Sequence, residues 1–330
     1  MLAGNTTQML AGEFTPGAGW TTTALTGSTA DSPAIALTGS SSAVGLMRAS
    51  TTGELRFTTW NGSAWTAFAA VASGVTTRAA PSITAVGAAA GAVFHGDDFK
   101  HYFGSHAAAW SPVAEPVGAG AAQSFGPSPA SIAADGSDVV IAFAGSNQDL
   151  YDQRRTGGSW QPAIAHGLGS VVSLTPSIVT LKGGAADRMI VFVRVTDARI
   201  LYTTESAGVW SAPVVIDTNA LTSDRVSVAA LPGGGAVLGY RGQNGKVYWS
   251  RYTPGSSPPW TAAAGVTAAN FDTPTPPVLA PGASGAEAEM VFIDATSGSV
   301  KHARLNGAAW SAPITVGGGG MNRVAAGSFQ

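Results

Sequence analysis

The sequence predicts an all-β chain, folded as a seven-bladed β-propeller of four-stranded antiparallel blades in a single domain spanning residues 1–330. Three observations support this prediction. A tryptophan phrase recurs seven times at a nearly constant period. Short apolar runs alternate with turn residues along a chain that contains 43 Gly and 19 Pro. The two ends of the chain carry complementary parts of the same repeat. Short strands with frequent turns and a long period are typical of propellers.

The repeated phrase consists of a small-residue turn, a Trp, then Ser, Thr or Gln, and then an apolar run. NGAAWSAPITV from Asn306 and SAGVWSAPVVI from Ser206 are two copies. Successive tryptophans lie 45 or 50 residues apart, at Trp20, Trp65, Trp110, Trp160, Trp210, Trp260 and Trp310. A period of about 40–50 residues matches four-stranded propeller blades, whereas most solenoid repeats are shorter.

Two strands are expected before the tryptophan hairpin of each copy. Most first strands open with Pro before a β-branched residue, as at Pro33 and Pro81, where no ladder donor is lost. Two copies read Asp224–Val226 and Asn322–Val324 instead. The second strand is a continuous apolar run such as VVIAF from Val139. Such runs indicate a sheet that is covered on both faces, as each blade of a propeller is by its neighbours.

The third strand begins with an apolar residue and places a ring two residues later. This pattern predicts the pairs Leu55/Phe57, Phe99/His101, Ile200/Tyr202, Val247/Trp249 and Val300/His302. Two copies depart from it, because Tyr151 follows Leu150 directly and the Leu10 copy has Gly12 in place of a ring. The tryptophan phrase then forms the turn and the fourth strand.

The chain ends predict how the ring closes. The segment from Asn5 to Trp20 matches only a third strand and the approach to a fourth, whereas NRVAAGS from Asn322 matches a first strand. Pairing these ends gives six continuous blades and one composite blade. Closure of this kind removes an exposed sheet edge.

Composition excludes several functional classes. Charged residues make up 11% of the chain and the net charge is −2, so we expect no nucleic-acid partner. No apolar run approaches the ~18–20 residues of a membrane helix, so no membrane insertion is expected. The N-terminus lacks the pattern of a signal peptide, which predicts a cytoplasmic or non-classically secreted protein. The absence of Cys excludes disulfides and thiolate metal sites.

Catalytic signatures are weak, so the chain is predicted not to be an enzyme and to need no cofactor. The densest group of potential metal ligands is His95, Asp97, Asp98 and His101, in FHGDDFKH. A polar hairpin tip explains this group better than a metal site, because no established ligand spacing is present. An enzyme with one central, polysaccharide-binding site is the less favoured alternative.

The tryptophan column has two compatible interpretations. A ring at the start of every outer strand can pack between neighbouring blades and bury on the order of 150–250 Å² each time. Some of these rings can also face a groove between blades and stack on the C–H face of a sugar. The sequence leaves both interpretations open.

The repeated turn, the ring in the third strand and the seven-fold count resemble bacterial seven-bladed propeller lectins of the PLL type and, more distantly, fungal fucose-binding propellers. The resemblance implies multivalent glycan binding between adjacent blades, typically of fucose or related methylated sugars. Fucose lectins with six blades use a recurring Arg, acidic residue and aromatic residue in each site. Here Arg194, Glu205 and Trp210 form the fullest such set. The candidate sugar-binding residues are Arg48, Trp60, Trp65, Arg194, Tyr202, Glu205, Trp210, Arg241, Trp249, Tyr252, Trp260 and Trp310.

The blades are unequal, so we expect fewer than seven competent sugar sites. The copy containing Trp249 and Trp260 carries an inserted TPGSSPP. Weak sites become effective through avidity when several engage at once. A protein-interaction propeller without sugar binding is the main alternative, because fold alone does not determine function. Association into a homo-oligomer is compatible with either interpretation.

Overall fold

The structure of the chain is a computed structural model, and it has the all-β, seven-bladed propeller architecture that the sequence predicts. Each blade is an antiparallel sheet whose first strand lines a central channel and whose fourth lies at the rim. The structure describes residues 1–5, 7–15, 17–118, 126–169, 172, 174–181, 183–267, 271–283, 285–317 and 320–325. No helix in these ranges has both the length and the apolar character needed to cross a bilayer.

The three N-terminal strands belong to blade 7, and blades 1 to 3 follow them as continuous segments of the sequence. Blade 7 takes β1 (Leu2–Gly4), β2 (Met9–Thr15) and β3 (Gly19–Leu25). Blade 1 contains β4 (Ala34–Gly39), β5 (Ser42–Arg48), β6 (Leu55–Trp60) and β7 (Ala69–Ala70). Blade 2 contains β8 (Ser82–Val86), β9 (Ala89–His95), β10 (His101–His106) and β11 (Glu115–Pro116). Blade 3 contains β12 (Ser131–Asp135), β13 (Asp138–Ala144), β14 (Leu150–Thr156), β15 (Ser159–Trp160) and β16 (Ile164–Ala165).

The remaining blades repeat this plan. Blade 4 contains β17 (Ser177–Thr180), β18 (Arg188–Val193), β19 (Ile200–Ser206), β20 (Val209–Trp210) and β21 (Val214–Val215). Blade 5 contains β22 (Ser227–Ala230), β23 (Ala236–Arg241), β24 (Val247–Tyr252) and β25 (Ala264–Gly265), with a 3₁₀ turn at Pro232–Gly234. Blade 6 contains β26 (Val278–Pro281), β27 (Ala288–Ile293), β28 (Val300–Asn306), β29 (Ala309–Trp310) and β30 (Ile314–Gly317). The C-terminal strand is β31 (Arg323–Ala325).

The composite blade confirms the predicted closure and adds one strand to it. Strand β31 supplies the inner strand of blade 7 and pairs with β1, which pairs in turn with β2. The sequence assigned only a third strand and the approach to a fourth to the N-terminal segment. In the structure Leu2–Gly4 also provides the second strand, a segment too short to show a recognisable apolar run.

The strand register corrects the predicted ring column in two blades. Counting from the first residue of each third strand, the third residues are Phe57, Phe103, Asp152, Tyr202, Trp249, His302 and Ala11. We call this set the ring column. Blade 2 therefore uses Phe103, not His101, because Phe99 lies in the turn with a positive φ of 65°. Blade 7 begins its third strand at Met9, which places Ala11 in the column.

The apolar core lies between blades instead of at one centre. The buried cluster that contains Met189 and Val191 of blade 4 also contains Leu238 and Tyr240 of blade 5. Other clusters join neighbouring blades in the same way, which explains why second strands read as continuous apolar runs. Apolar area buried between sheets is the main favourable contribution to such an arrangement.

The tryptophan phrase has a structural explanation in hydrogen bonding. In blades 1, 3, 4 and 5 the residue after the Trp supplies a carbonyl that accepts a hydrogen bond from a third-strand side chain, for example from Thr203 Oγ1 to Ser211 O at 2.7 Å. Its hydroxyl also accepts a backbone N–H, from Thr204 to Ser211 Oγ at 3.1 Å. The corresponding bonds at Thr66 and Thr261 repeat this pattern. Ser or Thr after Trp therefore replaces part of the strand ladder.

Candidate functional site

The tryptophan column packs between blades. Trp110 meets Phe57 of the preceding blade with ring centroids 5.7 Å apart, and Trp160 meets Phe103 at the same distance. Both pairs are edge-to-face, a favourable aromatic geometry. Two of the predicted sugar-binding tryptophans pack likewise, since Trp260 contacts Tyr202 at 5.5 Å and Trp310 contacts Trp249 at 6.0 Å.

The space between blades 3 and 4 replaces the missing ring with a histidine. Asp152 occupies the ring column there, and its carboxylate lies 3.1 Å from His166 Nε2. The His166 ring meets the predicted sugar-binding residue Trp210 at a centroid distance of 5.2 Å. The His166–Trp210 contact joins blade 3 to blade 4, so the interblade packing interpretation of these tryptophans is supported by direct geometry.

Two of the three predicted arginines make hydrogen bonds to the segments that connect neighbouring blades. Arg48 donates from Nε to the Thr77 carbonyl at 2.7 Å and pairs with Asp31 at 3.0 Å. Arg241 repeats both contacts with the Thr273 carbonyl and Asp224, at the same distances. Arg48 and Arg241 are each at the end of a second strand that pairs with the start of the third.

The structure does not bring the predicted arginine–aromatic sets together. Trp60 and Tyr252 lie at the far end of the third strand from Arg48 and Arg241 respectively. Arg194 forms a bidentate pair with Asp197, which lowers the pKa of that carboxyl to about 2.

Glu205 belongs to a different cluster from the one predicted. Its carboxylate is fully buried and accepts hydrogen bonds from Arg188 of the same blade, at 2.6 Å, and from Arg154 of blade 3. Trp210 pairs with Glu205 across the hairpin. This cluster therefore contains an acid, an aromatic ring and two guanidiniums, one from the same blade and one from the neighbouring blade, and neither is the predicted Arg194.

A cavity of about 100 Å³ adjoins the closing blade and is the candidate functional site. We call it the seam cavity. Its walls come from blades 6, 7 and 1. The lining residues with polar or aromatic side chains are Glu13, Phe14, Trp20, Trp60, Trp65, Glu289 and His302. Of the residues predicted to bind sugar, the seam cavity includes Trp60 and Trp65, whose rings lie 5.6 Å apart.

A hydrogen-bonded chain crosses from blade 7 to blade 6 at the seam cavity. Trp20 Nε1 donates to His302 Nδ1 at 3.2 Å, and His302 Nε2 lies 2.8 Å from Glu289. Because the indole can only donate, Nδ1 must accept, and the proton of a neutral imidazole then sits on Nε2, facing the carboxylate. Arg304 Nε donates to the same carboxylate at 3.1 Å. The acid is thus held by two groups while its side chain remains about 9% exposed.

Aromatic rings complete one wall of the seam cavity. Phe14 lies 4.7 Å from the His302 ring and 5.4 Å from the Trp20 ring, measured between centroids. The Arg304 guanidinium lies 5.1 Å over the Phe14 ring, within the range of a cation–π contact. Arg304, Glu289 and Trp20 together form a guanidinium, acid and aromatic set. Glu289, His302, Phe14 and Trp20 were not among the site residues predicted from the sequence.

The histidine–aspartate group of blade 2 forms a hairpin end. His95 and His101 stack at 5.1 Å, Asp97 accepts from Thr76, and Asp98 accepts from Tyr102. In the part of the chain that the structure describes, no three His, Cys, Asp or Glu residues are placed to hold a metal ion.

Comparison with known proteins finds likeness in structure alone. No family model matches the sequence, and no curated protein matches it. A lectin from Burkholderia pseudomallei superposes with a TM-score of 0.71 at 11% identity, covering 96% of this chain and 97% of that one. The fucose-specific lectin from Aleuria aurantia gives 0.59 at 15% identity, covering 88% and 97%. AofleA from Arthrobotrys oligospora gives 0.62 at 10% identity, covering 98% of each chain.

The likeness is one of fold. It confirms at this level the resemblance to propeller lectins stated from the sequence, while the low identities carry no residue from one protein to the other. The Aleuria lectin is described as six-bladed, and this chain has seven blades.

Proposed function

We propose that the chain is a carbohydrate-binding lectin with no catalytic activity, and that the seam cavity is one of its sugar sites. The observation that carries the proposal is the placement of Glu289, paired with Arg304, and of the Phe14 and Trp20 rings around a cavity between blades. The neighbours in fold include a fucose-specific lectin, and one Aleuria lectin structure holds α-methyl-L-fucoside. Fucose or a related methylated sugar is therefore the proposed ligand.

The chemistry of the seam cavity suits a small, partly apolar sugar. Glu289 accepts hydrogen bonds from hydroxyls, while Arg304, which donates to the same carboxylate, holds it in place. Phe14 and Trp20 offer apolar surface for the C–H face or methyl group of a sugar. The ring contacts and the Glu289–Arg304 pair exist without ligand, so little side-chain ordering is needed when sugar binds.

Other grooves support more than one site. Arg154 and Glu205 meet between blades 3 and 4, and Arg251 pairs with Glu287 between blades 5 and 6 at 2.7 Å. A surface carrying several weak sites would gain avidity on a dense glycan layer. We therefore propose a small number of related sites, fewer than the seven grooves.

The test is a calorimetric titration with α-methyl-L-fucoside, together with binding to a fucosylated surface. Glu289→Gln removes the acceptor charge, and Phe14→Ala removes the apolar wall; each is expected to weaken sugar binding at least tenfold. Glu115→Gln, which alters a more exposed interblade carboxylate paired with Arg155, is the control and should bind like the parent chain.

Two outcomes would overturn the proposal. Equal affinities for Glu289→Gln and Glu115→Gln would remove the seam cavity from the site. No binding to any sugar on a broad glycan array, at high protein concentration, would leave a protein-interaction propeller as the better interpretation.

A further inference from the structure

One mouth of the central channel is a polar-lined cavity of about 250 Å³. The seven inner strands contribute to it with the residues at their starts. Most of these are small, neutral or proline, and the hydroxyl-bearing ones are Ser82, Ser131, Thr175, Ser177 and Ser227. The other half of the channel measures about 540 Å³, and none of its described lining residues is charged.

Arg225 is the single charged side chain among the described residues that line this mouth. It makes no hydrogen bond or ion pair with any residue that the structure describes. The nearest carboxylates are already engaged, since Asp31 pairs with Arg48 and Asp224 pairs with Arg241, each at 3.0 Å. The Arg225 charge is therefore left without a counterion at the entrance of a narrow channel.

Arg323 adds a second positive charge nearby. Arg225 and Arg323 occupy equivalent positions at the starts of their first strands. Each lies two residues before the first-strand residue that, through its second-strand partner, is aligned with the ring column. Both occur in the two copies whose first strand lacks the usual Pro. Among the described residues, Arg323 donates to the carbonyls of Asn322 and Ala30, at 2.9 and 3.3 Å, and to no carboxylate, so none of these residues neutralises its charge.

The local charge balance is positive. Four guanidiniums, of Arg48, Arg225, Arg241 and Arg323, face two carboxylates, those of Asp31 and Asp224. Burial in the channel mouth lowers the pKa of Arg225; nearby Asp31 and Asp224 act in the opposite direction, and Arg323 lowers it further. A bound dianion would neutralise this excess and would be attracted to it before contact.

We propose that this mouth binds a small dianionic oxyanion, a sulfate or phosphate group, through Arg225 with support from Arg323. The planar guanidinium donates two parallel hydrogen bonds to such a group. The surrounding serine and threonine hydroxyls supply further donors. The site is distinct from the seam cavity, and it does not depend on sugar binding there.

The test compares the response to sulfate of three proteins at pH 7 and constant ionic strength, with chloride replacing sulfate. Sulfate stabilises most proteins by exclusion from their surface, so the difference between variants is the readout. Isothermal titration with sodium sulfate should show one site in the parent chain, with at least tenfold weaker binding in Arg225→Gln. Arg199→Gln removes the same charge from an exposed pair with Asp197 and should bind sulfate like the parent.

Thermal unfolding supplies a second readout that does not require the variant to bind. In chloride, Arg225→Gln should be as stable as the parent chain or more stable, because it loses an uncompensated charge. In sulfate, the order should reverse, since only the parent gains binding free energy. A smaller loss of affinity is expected for Arg323→Gln.

The source of the group is distinguished by a parallel titration with glucose 6-phosphate, whose phosphate ester carries close to two negative charges at pH 7. Binding of the free ion alone, or of the ester as well, supports the site and identifies what carries the group into it. An identical sulfate response in the parent chain, Arg225→Gln and Arg199→Gln overturns the proposal.

Discussion

Replacing Trp160 by Ala tests whether the tryptophan column holds the ring of blades together. The Trp160 ring is about 8% exposed and meets Phe103 edge-to-face across the interblade space. Removing a buried Trp side chain costs about 3–5 kcal/mol through lost transfer free energy and the cavity left behind. We expect Trp160→Ala to be destabilised by that amount.

The expected shift in Tm follows from the size of the chain. At about 2.1 cal/mol/K per residue, unfolding 330 residues has an entropy of about 0.7 kcal/mol/K. The predicted loss therefore lowers Tm by about 4–7 °C. Circular dichroism or scanning calorimetry in sugar-free buffer measures this shift directly.

Trp65→Ala is the matched control within the same column. Trp65 is half-buried, and the blade that precedes it offers Ala11 instead of a ring. We expect the Tm of Trp65→Ala to fall by no more than half as much. A double-mutant cycle of Trp160 with Phe103 should give a coupling of about 0.5–1.5 kcal/mol. Equal losses for the two tryptophan variants, or additive effects in the cycle, would refute the interblade packing argument.

Two further predictions concern buried charge. Burial lowers the pKa of His101 to about 4, so the unfolded chain binds a proton below pH 6.5 that the folded chain does not take up until about pH 4. The free energy of unfolding, measured with denaturant, should fall by about 3 kcal/mol as pH drops through that window. His101→Phe should flatten this part of the pH profile. The same pH slope in the parent chain and in His101→Phe would contradict the prediction. Glu205→Gln leaves two guanidiniums without their buried partner and should cost about 3–5 kcal/mol in thermal unfolding. Glu115→Gln, at a partly exposed pair, should cost less than about 1 kcal/mol. Similar losses for the two glutamate variants would show that burial of the pair is not decisive.

The fold was predictable because the same sequence pattern recurs at a nearly constant spacing. A Trp followed by Ser or Thr fixes the outer hairpin through the same two hydrogen bonds in several blades, so each copy repeats one local physical requirement. The ring column failed in blade 2 for an equally local reason. FHGDDFKH has aromatic residues on both sides of a turn, and only the backbone shows that Phe99 belongs to the turn and Phe103 to the strand.

The candidate site and the other charged clusters were only partly predictable, because some charged partners are distant in sequence. Glu205 accepts a hydrogen bond from Arg154, 51 residues earlier, whereas the resemblance to fucose lectins suggested Arg194. Glu289 was included in an apolar second-strand run and received no functional interpretation. An acidic residue inside such a run, paired in register with Arg304 of the third strand, was the signal that could have identified it.

The junction of the two chain ends has a consequence for how the molecule comes apart. Strands β1 and β31 share three residue pairs, against four or five between the first and second strands of the other blades. The same composite blade has Ala11 in place of a ring in the ring column. Spontaneous opening concentrates where cooperative contacts are fewest. We therefore expect local unfolding to begin at this junction. The released C-terminal strand can then pair with the open blade of a second molecule.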